Sequence, residues 1–109
     1  MIQLEDYRIA IMQLCEKNKV VKKLYFFGSA LTPRFDAATS DIDVLIETED
    51  ILPDEKGENL IALWDDLEKL FNRKVDLLTE NSLRNPFLKK EIEQTKKLIY
   101  DGQSRQIFI

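Results

Sequence analysis

The run Val44-Leu45-Ile46 constrains the fold more than any other stretch of this chain. A half-exposed strand alternates apolar and polar side chains. Three consecutive apolar residues, opened by Asp41-Ile42-Asp43, read instead as a central strand covered on both faces. A strand buried on both sides needs other layers above and below it.

The remaining segments supply those layers. Residues 3–17 read as a first helix, with Leu4, Tyr7, Ile11 and Leu14 in a stripe at three- and four-residue spacing and Asn18 as a stop. Residues 20–27 are an apolar strand, and residues 41–47 are the second. Between them, residues 30–39 read as a short helical turn and a loop. Residues 50–59, with Pro53 and Gly57, read as a polar connection. Leu60, Leu63, Trp64, Leu67, Leu70 and Phe71 then form the cleanest apolar helix face, a core contributor. Asn72-Arg73 links it tightly to a third strand, 74–78. Asn85-Pro86 is an N-cap followed by proline at the first helical position, opening a helix to about Lys97. Leu98-Ile99-Tyr100 reads equally as the end of that helix or as a short edge strand.

The short link between strands one and two predicts an antiparallel pair, and the helix between two and three permits a parallel crossover. The expectation is an α/β (α+β) fold: a small mixed β-sheet flanked by helices. The 109 residues make one domain, 1–109, able to bury about 60–70% of its unfolded surface.

Composition removes many chemistries. The chain is 44% hydrophobic and 33% charged, a globular balance. It has no histidine, which excludes histidine-based triads and zinc sites. Cys15 is the only cysteine and reads as a buried small apolar residue. What remains for a metal is oxygen, from 20 Asp and Glu, which suits Mg²⁺, Mn²⁺ or Ca²⁺. The net charge of −4 makes a long nucleic-acid partner unexpected. No apolar run approaches the roughly 20 residues that span a bilayer. Residues 1–6 carry acids where a secretory signal carries basic residues, so the cytoplasm is the expected location.

The candidate chemistry lies at the strand ends. Gly28-Ser29 follows the first strand, where backbone N–H groups and a hydroxyl can meet a phosphate. Eleven residues later, Asp41 and Asp43 point to one face of a strand because side chains alternate. Two such carboxylates repel, and a divalent cation resolves the conflict. Asp76 sits inside an apolar strand. It joins the other two if that strand lies beside the second, or else pairs with Arg73 or Lys74. Three carboxylates can hold two Mg²⁺, one on a triphosphate and one acidifying the attacking hydroxyl. Phosphoryl-type transfer is mostly positioning and charge stabilisation, so no histidine base is needed.

The segment Phe27-Gly28-Ser29-Ala30, Arg34-Phe35 and Ser40-Asp41-Ile42-Asp43-Val44-Leu45-Ile46, with Lys74-Val75-Asp76-Leu77-Leu78 and Asn85-Pro86, resembles the minimal nucleotidyltransferases of the DNA polymerase β superfamily. The resemblance covers nearly the whole chain. It implies the nucleotidyltransferase fold, with Asp41, Asp43 and Asp76 as catalytic, metal-binding carboxylates. Gly28, Ser29, Arg34 and Ser40 would bind the nucleotide. Ala30 stands where many relatives carry arginine, and Arg34 is the nearest basic residue. The implied activity is Mg²⁺-dependent transfer of AMP from ATP to a protein hydroxyl, as antitoxin of a HEPN-domain ribonuclease toxin. A contact-only antitoxin and a small-molecule nucleotidyltransferase are the alternatives. A chain ending near the core, without an added RNA-binding domain, argues against a polymerase or tRNA-tailing enzyme. The apolar ending Ile107-Phe108-Ile109 reads evenly as an interface, to a toxin or a second copy, or as a tail folded onto the core.

Overall fold

The computed structural model describes residues 3–28 and 41–109. A 3₁₀ turn, Leu4–Tyr7, leads into α1, Arg8–Lys17. Then come β1 (Val21–Phe27), β2 (Ile42–Thr48), α2 (Pro53–Phe71), β3 (Val75–Thr79), α3 (Pro86–Thr95), β4 (Lys97–Asp101) and β5 (Gln106–Ile107). The sheet order is β3-β2-β1-β4-β5. β1 pairs antiparallel with β2, and β2 pairs parallel with β3 across the α2 connection, as expected. The expected helical turn over residues 30–39 lies outside the described residues.

Burial explains the layers. Leu24, Phe26, Ile42, Val44, Ile46 and Val75 share one face and pack with Ile11 of α1 and Leu63, Leu67 and Phe71 of α2. Each such buried side chain contributes about 1.5–3 kcal/mol. Tyr25, Phe27 and Leu45 point to the other face and meet Ile92 of α3. The three-residue apolar run in β2 is therefore covered on both sides, by two helices on one face and a single helix on the other.

Some boundaries differ from the sequence reading. The helix expected at Leu60 begins at Pro53, because that proline occupies the first turn, where its missing N–H costs nothing. Gly57 stays in the helix, and residues 53–59, read as part of a connection, are its first turns. The same helix ends on Asn72 in the left-handed conformation (φ 51°), which is why the link to β3 can be so tight. Asn85 caps α3 as expected, its side chain accepting from the Phe87 and Leu88 N–H groups. α3 stops at Thr95, and the following Lys97–Asp101 is a strand inside the sheet, between β1 and β5.

The apolar ending belongs to the core. Ile107 pairs with Tyr100, the Phe108 N–H donates to the Ile99 carbonyl at 2.8 Å, and Ile107 and Ile109 pack on the main cluster. Phe108 alone turns outward. Cys15 is buried as expected, and burial pushes its thiol up to about 12.

Candidate active site

The register of the sheet builds the site. Phe27 lies opposite Asp43, and Asp43 lies opposite Asp76, so the three form one row across β1, β2 and β3. Both aspartates therefore face the α3 side, at the ends of their strands rather than under the helix. A cavity of about 530 Å³ opens there. Gly28, Asp43 and Asp76 line one part of it, Trp64 another, and Leu88 and Glu91 of α3 a third.

Gly28 has a positive φ of 74°, and a Cβ built on it would lie 2.3 Å from Asp43 Oδ2. Glycine is required here twice over, by conformation and by the close approach of the carboxylate. The Asp43 carboxyl rises from 3.8 to about 6, first by burial and then by the negative charges of Asp76 and Asp41. Asp41, just before β2, also contacts the Lys74 ammonium at 3.9 Å, with both side chains well exposed. That long surface pair contributes little.

The structure thus brings Asp43 and Asp76 together beside Gly28, and places Asp41 close enough to act on Asp43 electrostatically. It does not gather all three as expected: among the described residues, no group of three acidic, cysteine or histidine side chains is placed to hold a metal ion. Asp41 faces Lys74, the lysine that the sequence offered to Asp76. Ser29, Arg34 and Ser40 lie outside the described residues.

Trp64 is a correction. It reads as core from its spacing, yet it is 42% exposed and reaches the edge of β3. There its indole N–H donates to the Val75 carbonyl at 2.7 Å, while the Val75 N–H donates to Glu68 Oε2 at 3.0 Å. Sequence reading missed both residues as neighbours of the site. The one available signal was a tryptophan and a glutamate four apart on the helix preceding the strand that carries Asp76.

Residues 8–99 match the nucleotidyltransferase domain family, so the chain belongs to that family and is a nucleotidyltransferase. Its relatives narrow the comparison. Two proteins of Methanocaldococcus jannaschii, both provisionally named protein adenylyltransferases, are similar over most of their length. One is 43% identical over 88 residues, covering 81% of this chain and 83% of the relative. The other is 44% identical over 87 residues, covering 80% and 82%. A solved structure provisionally described as a minimal nucleotidyltransferase superposes with a TM-score of 0.65 at 27% identity, covering 86% of this chain and 90% of that one. The fold also matches a structure of a tri-AMPylated Shewanella oneidensis HEPN toxin with its MNT antitoxin. There the TM-score is 0.64 at 20% identity, over 94% of this chain and 76% of that one. Among the described residues, no helix is long and apolar enough to cross a membrane.

Proposed function

We propose that this chain transfers AMP from ATP to a hydroxyl of a partner protein, with pyrophosphate leaving and the hydroxyl giving up its proton, and that the partner is a HEPN-type toxin. The observation that carries the reading is the in-register pair Asp43 and Asp76 beside Gly28, facing a cavity of about 530 Å³. That volume lies within the roughly 300–1,000 Å³ of small-molecule sites. The provisional names of the Methanocaldococcus relatives support a protein acceptor. The AMPylated toxin found with a protein of the same fold supports AMP as the transferred group. The rim adds to this: Phe87 is 83% exposed beside cavity-lining Leu88, an apolar lip suited to a protein surface.

The donor set fits a divalent cation. Its atoms are hard carboxylate oxygens, and Asp43 carries a carboxyl raised first by burial and then by the neighbouring charges of Asp76 and Asp41. Asp43 and Asp76 would hold Mg²⁺, with Asp41 the outer carboxylate. When bound, the ion would neutralise the triphosphate and acidify the attacking hydroxyl. The chain itself supplies the paired carboxylates and the close glycine backbone at residue 28.

The test is to incubate the chain with labelled ATP, Mg²⁺ and the product of the neighbouring gene. Label should appear on the partner with the wild type and not with Asp43→Asn. A partner that is neutralised without acquiring label, equally well by both forms, would establish a contact-only antitoxin instead.

A further inference from the structure

Among the described residues β3 ends the sheet, and no described strand pairs with its outer side. An edge strand presents unpaired N–H and C=O groups and frays unless something covers them. At Val75, directly before Asp76, both outward groups are taken by α2. Trp64 donates to the carbonyl and Glu68 accepts from the N–H, at 2.7 and 3.0 Å. The two side chains are four residues apart, so one turn of helix presents both to the same backbone residue. Together they do for Val75 what an added antiparallel strand would do, which is to exchange two hydrogen bonds with one residue. The Glu68 bond is charge-assisted, and the Trp64 ring also lines the cavity that holds Asp43 and Asp76.

The geometry points to Trp64 and Glu68 as a positioning pair for Asp76: by clamping Val75 from the open side of the sheet, they keep the Asp76 carboxylate in register with Asp43. This inference rests on the reading of Asp43 and Asp76 as the transfer carboxylates. The need for a clamp is electrostatic. Two carboxylates on adjacent strands repel, and the β2 ladder is the hydrogen-bonded hold on the other side of β3. A strand free to move outward would relieve that repulsion by separating the two groups. The pair opposes this movement from the outer side of β3, with Glu68 outside the residues that line the cavity and Trp64 at its wall.

The experiment compares Glu68→Ala and Trp64→Phe with Glu68→Gln, which keeps an acceptor oxygen. Four quantities are read: melting temperature, exchange of the Val75 amide by NMR, Mn²⁺ affinity by electron paramagnetic resonance without nucleotide, and kcat and KM for ATP. Glu68→Ala and Trp64→Phe should speed Val75 exchange, weaken Mn²⁺ binding, and lower kcat by about tenfold, as for other supports of metal-binding residues. Glu68 does not line the cavity, so for Glu68→Ala KM for ATP should change little, and Glu68→Gln should recover most of the loss. Faster exchange and a lower melting temperature, with Mn²⁺ affinity and kcat intact, would overturn the inference and leave a simple edge seal. If the wild type binds Mn²⁺ but labels no acceptor, the transfer reading fails and the Mn²⁺ comparison alone judges the clamp. A wild type that binds no Mn²⁺ overturns both.

Discussion

Replacing Asp43 by asparagine should stabilise this protein while destroying its chemistry. The carboxyl sits against Gly28 with Asp76 and Asp41 nearby, and its pKa rises from 3.8 to about 6. An acid raised in the folded state binds extra protons when folded. Its stability contribution is full below 3.8, falls as pH rises, and is lost above about 6. At pH 7.5 the folded wild type therefore carries an unrelieved charge penalty. A rise of this size corresponds to about 3 kcal/mol at full burial, since one pKa unit is about 1.4 kcal/mol. The carboxyl is only partly buried, and solvent screening reduces the figure to about 1–2 kcal/mol. Asparagine has nearly the same shape and no charge. For a domain of this size that difference raises the melting temperature by roughly 4–10 °C. Thermal melts followed by circular dichroism, from pH 4 to pH 8 without metal, check it. The gap between variant and wild type should be widest above pH 6 and close toward pH 4. Millimolar Mg²⁺ should raise the wild type and leave Asp43→Asn almost unmoved. A variant that melts below the wild type at pH 7.5, or a gap independent of pH, would refute the electrostatic account of the site.

Other consequences follow from the same structure. Gly28→Ala forces a Cβ onto the Asp43 carboxylate at a positive φ, so it should lower stability by about 1–3 kcal/mol in urea melts and weaken nucleotide binding. Deleting residues 104–109 removes β5 and the packing of Ile107 and Ile109. The truncated chain should melt well below the full one, and equal melting temperatures would return the tail to the role of an interface. Cys15, with its thiol pushed up to about 12 by burial, should resist a thiol reagent at pH 8 in the native protein and react quickly in urea.

The sequence alone determined the layers and offered Asp41, Asp43 and Asp76 as candidate carboxylates. Val44-Leu45-Ile46 demanded a central strand, and the spacing from Leu60 to Phe71 demanded a helix. Asn85-Pro86 set a helix start, because these signals act over a few neighbouring residues. The i and i+2 spacing offered Asp41 and Asp43 for one face, but Asp41 lies just before β2, where pleating no longer holds it. The partner of Asp76 was not local. Whether it met Asp43 depended on the parallel register of β2 and β3, which the packing of α2 over the sheet fixes. Asp41 met Lys74 instead of completing a three-acid cluster for the same reason: facing positions on separate segments are a property of register. The fate of residues 97–109 was also tertiary. A short apolar run suits a helix end, an edge strand or a tail, and only the free side of β1 made it β4, with β5 beyond it. Trp64 shows the limit most clearly. Helical spacing gave it a face, and the unpaired edge of β3 gave it a partner that no local pattern encodes.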